Sequence, residues 1–157
     1  MFKRLKKITK LIVIIVIIVL VYHMFKYVTM PSGKKEHLEL KNLLILEMNV
    51  DKWYSKQQVT IKDKEAINKF QDYLNSLELI ELEKDYSRNN SGHMYMMFLP
   101  YDTISIKGEY LSIHPNGKDD KVYTEYYIVD SGYNPLTGGS KVSRFIDRLI
   151  RQYGKKI

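Results

Sequence analysis

The sequence predicts an α+β domain behind an N-terminal transmembrane helix, and three observations lead to this fold class. Residues 1–30 carry six lysines and arginines, no acid and one long apolar run. Beyond them, two segments show the spacing of amphipathic helices. Between these segments lie short runs that alternate apolar and polar residues and are separated by turn residues, as antiparallel strands are. We therefore expect an antiparallel sheet with two helices packed on one face.

The N-terminal region is charged first and apolar next. The run 11–25 reads LIVIIVIIVLVYHMF, and as a helix it would be about 22 Å long, against a hydrocarbon core of about 30 Å. Residues 26–30 extend it, and lysine side chains at its ends can reach the polar interface. Residues 11–30 are therefore predicted to be a signal-anchor that spans a lipid bilayer. Its flanking cations are Lys3, Arg4, Lys6, Lys7, Lys10 and Lys26.

Three other interpretations of this run remain open. A cleaved secretory signal has the same charged start and apolar run, although the following KYVTMPSG lacks the small residues of a cleavage site. A helix lying on the membrane surface would have a polar face, which this run lacks. An apolar core helix of a soluble domain would not need five cations ahead of it.

The distribution of charge predicts the orientation of the chain and excludes one class of partner. Lysine and arginine favour the cytoplasmic side, so residues 1–10 are expected inside the cell, with the domain 38–157 outside after a linker at 31–37. The formal net charge is +7, and six of these charges lie in residues 1–30. The rest of the chain is nearly neutral, which argues against binding to nucleic acid. Without cysteine, the outer domain has no disulfides.

The first half of the outer domain is predicted to hold two strands and a helix. Residues 43–50 (LLILEMNV) form one apolar run and residues 59–61 a second, both suited to strands. Asp63 is well placed to cap the helix that follows, because its carboxylate can accept hydrogen bonds from the first free amides. Helical spacing over 64–77 supports this element, and its apolar positions are Ile67, Phe70, Leu74 and Leu77.

The second half is predicted to be an antiparallel meander closed by a helix. Turn residues at Pro100, Gly108 and 115–117 separate its strands. Strands are expected at 79–82, 93–99, 103–107, 109–114 and 121–129. The last helix starts after Ser140 as its cap and ends at Gly154. Its apolar stripe comprises Val142, Phe145, Ile146, Leu149, Ile150 and Tyr153, while Arg148 and Arg151 suit the helix dipole.

The order of these segments resembles a known kind of protein. It combines a lysine-rich start, one anchor, the strand–helix unit VTIKDKEAINKFQDYLNSL, and the tyrosine-rich stretches ISIKGEYLSI and YTEYYIV before a closing helix. This is similar to small membrane-anchored or secreted domains of unknown function in Gram-positive bacteria. The resemblance implies a location at the cell surface and the α+β fold class, and it brings no activity or functional residue with it.

Tyrosine is the residue whose excess points to a function. The chain has 13 tyrosines, and many of them fall in the meander. Tyrosine offers a large contact area with a polar tip and is enriched at recognition surfaces, although it also fills strands well. We predict a binding or regulatory module whose partner is an envelope protein or a wall polymer. The predicted binding residues are Tyr95, Tyr110, Tyr123 and Tyr127.

Two other functions remain as alternatives. A small envelope-acting hydrolase would need His93 and His114 to meet near an acid such as Glu109 or Glu125. An immunity-type protein that blocks a toxin at the membrane is the second. The sequence shows no cofactor motif and no spacing typical of metal ligands, so neither a cofactor nor a metal is expected.

Overall fold

The computed structural model describes residues 9–21, 31, 33–52, 55–82, 93–117, 123–134 and 136–157. The chain divides into two compact units, Met1–Ser32 and Gly33–Ile157. The second unit contains the sheet and the two helices that were predicted for the outer domain.

The first unit contains helix α1, which covers residues 9–21. All eleven apolar side chains at 11–21 are exposed, by 49% to 62%. Within the described part of the chain, no helix has both the length and the apolar character needed to cross a membrane. Residues 22–30 of the predicted span lie outside the described residues, and so do the flanking cations Lys3, Arg4, Lys6, Lys7 and Lys26.

The second unit is built on an antiparallel sheet of nine strands, counted over the described residues. In chain order the strands are β1 (Lys35–Glu36), β2 (Leu46–Lys52), β3 (Ser55–Ile61), β4 (Leu79–Leu82), β5 (Met94–Phe98), β6 (Asp102–Lys107), β7 (Tyr110–Pro115), β8 (Thr124–Ile128) and β9 (Lys155–Lys156). Across the sheet the order is β1-β4-β8-β7-β6-β5-β2-β3-β9, and neighbouring strands are antiparallel. The predicted α+β class with an antiparallel sheet is confirmed.

Two helices accompany this sheet, α2 (Lys64–Asn75) and α3 (Lys141–Tyr153). Asp63 caps α2, because its carboxylate accepts a hydrogen bond from the amide of Ala66 at 2.8 Å. Ser140 caps α3 through a capping box with Ser143, in which each side chain accepts a hydrogen bond from the other's backbone amide. Both caps predicted from the sequence are confirmed.

Gly154 ends α3 for a reason that differs from the expected one. Its φ is −72°, so it does not adopt the left-handed conformation in which glycine commonly ends a helix. A Cβ at this position would lie 2.6 Å from the carbonyl oxygen of Ile150 and 2.7 Å from Cγ1 of Val59. Glycine is therefore needed here because α3 and β3 approach each other closely.

The core lies between the helices and one face of the sheet, called here the inner face. Met48 on β2, Met97 on β5 and Ile104 on β6 are paired across neighbouring strands, and all three side chains are buried in this core. Helices α2 and α3 contribute their apolar stripes to the same core, with Phe70 fully buried. The helices also touch each other through Tyr73 and Phe145, whose rings stack at 3.9 Å. The buried apolar side chains of the two helices are Ala66, Ile67, Phe70, Leu74, Val142, Ile146 and Leu149.

Two strands were not predicted, and several predicted strands have other bounds; β2, for example, covers Leu46–Lys52 rather than 43–50. Strand β1 falls inside the predicted linker 31–37, where Lys35 pairs with Ile80 and Glu36 with Leu79. Strand β9 follows α3, and β3 begins at Ser55 rather than at residue 59. The outermost strands have only two residues each, too few to show any alternation. Short, lysine-bearing edges of this kind also discourage pairing with another sheet.

Candidate functional site

The four tyrosines predicted to form a binding surface do not share one exposed patch. Tyr95 has no exposed surface and lies on the inner face, where it pairs with Val50 and Ile106. Tyr127 lies on the opposite, outer face of the sheet but is only 5% exposed. The prediction that these two side chains are presented to a partner is therefore wrong, because both contribute to packing.

Tyr110 and Tyr123 also lie on the outer face, where both are half-buried. The rings of Tyr110 and Tyr127 meet edge to face at 6.1 Å, and Tyr123 stacks on His114 at 4.9 Å. These side chains therefore pack against their neighbours across β7 and β8, as aromatic pairs in sheets do. Tyr123 and Tyr127 lie on the same side of the sheet, as the alternation of side chains along a strand predicts.

The two histidines of the hydrolase alternative lie far apart. His93 is next to Met94, which belongs to a row of residues paired across neighbouring strands. This row continues through Lys107 on β6 to Tyr110 on β7. His114 belongs to the row of Phe98 instead. Four strand residues separate these rows, so the histidines are more than about 14 Å apart at 3.4 Å per residue. The convergence of His93 and His114 that the hydrolase alternative requires is therefore absent.

A polar cluster that the sequence did not predict joins β2, β5 and α3. Asp147 accepts a hydrogen bond from the ammonium group of Lys52 at 2.6 Å and another from the hydroxyl of Tyr95 at 2.9 Å, both on the same carboxylate oxygen. Lys52 also lies 5.8 Å from the centre of the Tyr95 ring. The side chains of Lys52 and Asp147 are 26% and 29% exposed, so this pair is only partly open to solvent.

His93 stands beside this cluster, and its backbone amide donates to the carbonyl of Gly138 at 2.9 Å. Burial lowers the pKa of His93 below its ordinary value of 6.5, and the positive charge of Lys52 lowers it further, while Asp147 opposes them. Burial also raises the pKa of Tyr95, and the carboxylate of Asp147 adds to this shift. These partly buried hydrogen bonds link α3 to β2 and β5 and so help to hold α3 on the sheet.

The lowered pKa of His93 predicts a loss of stability in acid. The unfolded chain binds the His93 proton at a higher pH than the folded chain, so stability falls as the pH drops below 6.5. Replacing Lys52 with methionine should raise the pKa of His93, measured by titrating its ring signal by NMR. Lys56→Met is the control, because Lys56 is exposed and pairs with Asp51. Equal His93 pKa values in the two variants would contradict this account.

The exposed surface of α3 carries a row of cations that we call the basic face. It consists of Lys141, Arg144, Arg148 and Arg151, which are all exposed. At 100° per residue these four positions fall within an arc of about 80°, directly opposite the buried stripe of the helix. In the part of the chain that the structure describes, none of the four makes an ion pair. The only acid of α3, Asp147, is bound to Lys52.

This row is visible in the sequence as cations at i, i+3, i+7 and i+10 of a helix. Two observations hide the row in the sequence: Arg148 and Arg151 also suit the helix dipole, and the charge summed over the whole domain is nearly neutral. The neighbouring helix differs, because Lys64 and Lys69 of α2 alternate with Glu65 and Asp72. Lys69 and Glu65 form an ion pair at 2.6 Å. Among the described residues of the two helices, unpaired positive charge is therefore concentrated on α3 rather than on α2.

Over the described residues, no group of three or more histidine, aspartate or glutamate side chains is placed to hold a metal ion. No family model, curated protein or solved structure matches this chain. Its function is therefore inferred from the exposed surfaces and charges of the two units themselves.

Proposed function

We propose that this chain is a single-pass membrane protein whose folded domain lies outside the cytoplasm and binds a component of the cell envelope. Residues 1–10 lie in the cytoplasm, residues 11–30 span the bilayer, and the domain that begins at Gly33 is the binding module. The two parts of this proposal have separate support, one in α1 and one in α3.

The apolar surface of α1 supports the anchor. Its eleven consecutive apolar side chains are about half exposed, and they surround the helix on every side. A surface of this kind is unfavourable in water, because each apolar side chain gains about 1.5–3 kcal/mol when it is buried. A lipid bilayer covers all sides of a helix at once, whereas a protein groove covers one side. The six cations and the absence of acids in residues 1–30 favour a cytoplasmic N-terminus.

The charge of α3 supports a binding role for the domain. These four cations have no ion-pair partner among the described residues and repel each other on one helix face, which is unfavourable unless an anion is bound there. Tyr95 and Tyr127 are buried, so the predicted tyrosine surface is not available as a whole. In this proposal the basic face of α3 is the contact surface instead. The immunity-type alternative has no supporting contact among the described residues and stays a prediction.

The membrane topology can be tested by labelling single cysteines, because the natural chain contains none. Tyr101 is 84% exposed, so Tyr101→Cys provides a reactive site on the domain. On intact cells, a maleimide that does not cross membranes should label Tyr101→Cys and leave Phe2→Cys unlabelled. After the membrane is made permeable, both variants should react, which controls for the reactivity of each thiol.

The same two variants distinguish the competing interpretations of the N-terminal run. A labelled Phe2→Cys chain of full mass after permeabilisation supports an uncleaved anchor. Loss of the Phe2 label from the mature chain would show a cleaved signal instead. Labelling of Phe2→Cys but not of Tyr101→Cys on intact cells would reverse the orientation, and this result would overturn the proposal.

A further inference from the structure

We propose that the basic face of α3 binds the phosphate groups of anionic lipids, so that the domain docks on the surface of the bilayer that anchors it. This inference rests on the proposed membrane anchor and names the envelope component that the binding module recognises. Its basis is the arrangement of Lys141, Arg144, Arg148 and Arg151 on α3 and the exposed Lys155 and Lys156 that follow.

The shape of the basic face fits an extended anionic surface. Lys141 and Arg151 are ten residues apart, which corresponds to about 15 Å along a helix. The four cations lie on the side of α3 opposite its buried residues, so they can all contact one plane. Three of the four are arginines, whose planar guanidinium groups bind phosphate oxygens through two hydrogen bonds at once.

The aromatic pair beside this face adds a second feature suited to a membrane interface. Phe145 and Tyr73 stack between α3 and α2, and both are half-buried. Arg144 and Arg148 lie close enough to Tyr73 for their charges to lower its pKa, against the larger effect of burial, which raises it. Aromatic side chains next to cations are typical of surfaces that lie at the level of lipid headgroups.

The length of the connecting chain favours lipid over a dissolved polyanion. Four residues, 31–34, lie between the proposed span and Lys35 at the start of β1. Fully extended, this connection reaches about 17 Å. A domain held this close meets the headgroups at a high effective concentration, so even weak contacts suffice for docking. Each lysine or arginine near an anionic membrane contributes a factor of about five to binding.

A fluorescent label on α3 provides the test. Gln152 is exposed and lies next to the basic face, and Gln152→Cys gives the only thiol in the chain. The labelled full-length protein is placed in vesicles of phosphatidylcholine, with or without phosphatidylglycerol, that contain a quencher attached to a lipid headgroup. We expect strong quenching in the phosphatidylglycerol vesicles, weak quenching in phosphatidylcholine alone, and loss of the difference at high salt.

Matched charge variants separate the basic face from general electrostatic attraction. The triple variant Arg144→Gln, Arg148→Gln and Arg151→Gln should shift the docking equilibrium by more than about tenfold towards the undocked state. The control variant Lys62→Gln, Lys64→Gln and Lys69→Gln removes the same number of charges from exposed positions at and beside α2. It should change docking by less than about twofold. Equal effects of the two variants would overturn the proposal.

The remaining outcomes identify which step has failed. If the chain is extracted from vesicles by alkaline carbonate, the anchor itself is wrong. If it resists extraction but its quenching does not depend on phosphatidylglycerol, lipid recognition by α3 is wrong while the anchor stands. If inorganic polyphosphate, but not lipid, protects the labelled helix from trypsin, the partner is a dissolved phosphate polymer. Equal protection by duplex DNA would show unspecific attraction and would also overturn the proposal.

Discussion

Replacing Phe70 with alanine should lower the free energy of unfolding by about 3–5 kcal/mol. Phe70 lies on α2, has no exposed surface, and packs in the core with Leu46, Ile67 and Ile146. Removing its ring takes away contacts with both layers of the domain and leaves a cavity that the surrounding side chains fill only in part. The measurement is urea unfolding of the full-length protein in detergent, followed by amide circular dichroism.

Phe145→Ala is the matched comparison, because it removes the same side chain from the neighbouring helix. The sequence places Phe145 in the apolar stripe of α3, and in the structure it is half-buried, packs against the core and stacks on Tyr73. We expect a loss of about 1–2 kcal/mol, which combines the stacking contact with partial burial. If the two variants lose equal stability, the assignment of the buried stripes of α2 and α3 is incorrect.

The helices and most strands could be predicted from the sequence because their signals are local. Helical spacing over Ile67, Phe70 and Leu74 and the capping residues Asp63 and Ser140 identify α2 and α3 without reference to the rest of the fold. The two-residue strands β1 and β9 carry no such signal. They exist because a longer neighbouring strand offers free backbone groups to pair with.

The exposure of the tyrosines could not be predicted in the same way. Strand β5 reads MYMMF, so both of its faces are apolar and alternation does not reveal which one is buried. The helices cover the face that holds Tyr95 and Met97, and they leave Met96 and Phe98 on the other. Tyr127 is on the outer face as expected, but its neighbour Tyr110 packs against it. Burial thus depends on contacts between strands that are distant in the sequence.

Asp147→Ala should destabilise the domain by about 2–4 kcal/mol, although Asp147 lies outside the apolar core. Its carboxylate is the acceptor for the buried hydroxyl of Tyr95 and the counter-charge of Lys52. Without it, the Tyr95 hydroxyl loses this acceptor and the ammonium group of Lys52 loses the carboxylate with which it pairs. Asp147→Asn keeps the shape and an acceptor oxygen, so it should cost about 1–2 kcal/mol.

A double-mutant cycle with Tyr95→Phe isolates the hydrogen bond within this cluster. The single change Tyr95→Phe should cost about 1 kcal/mol, because it removes the hydroxyl and keeps the ring. In the Asp147→Ala background the same change should cost nothing or stabilise the domain, since the hydroxyl no longer has its acceptor. Additive losses in the two variants would show that the 2.9 Å contact makes no contribution to stability.

The same tyrosine gives the cluster a dependence on alkaline pH. The pKa of Tyr95 is raised above its ordinary value of 10.0, first by burial and then by Asp147, so the unfolded chain releases this proton at a lower pH than the folded chain. The stability contributed by Tyr95 is therefore present below pH 10.0 and is lost as the pH rises above that value. Tyr95→Phe should reduce this decline, whereas Tyr101→Phe, at an exposed turn, should leave it unchanged. An unchanged decline in Tyr95→Phe would mean that other groups cause the alkaline unfolding.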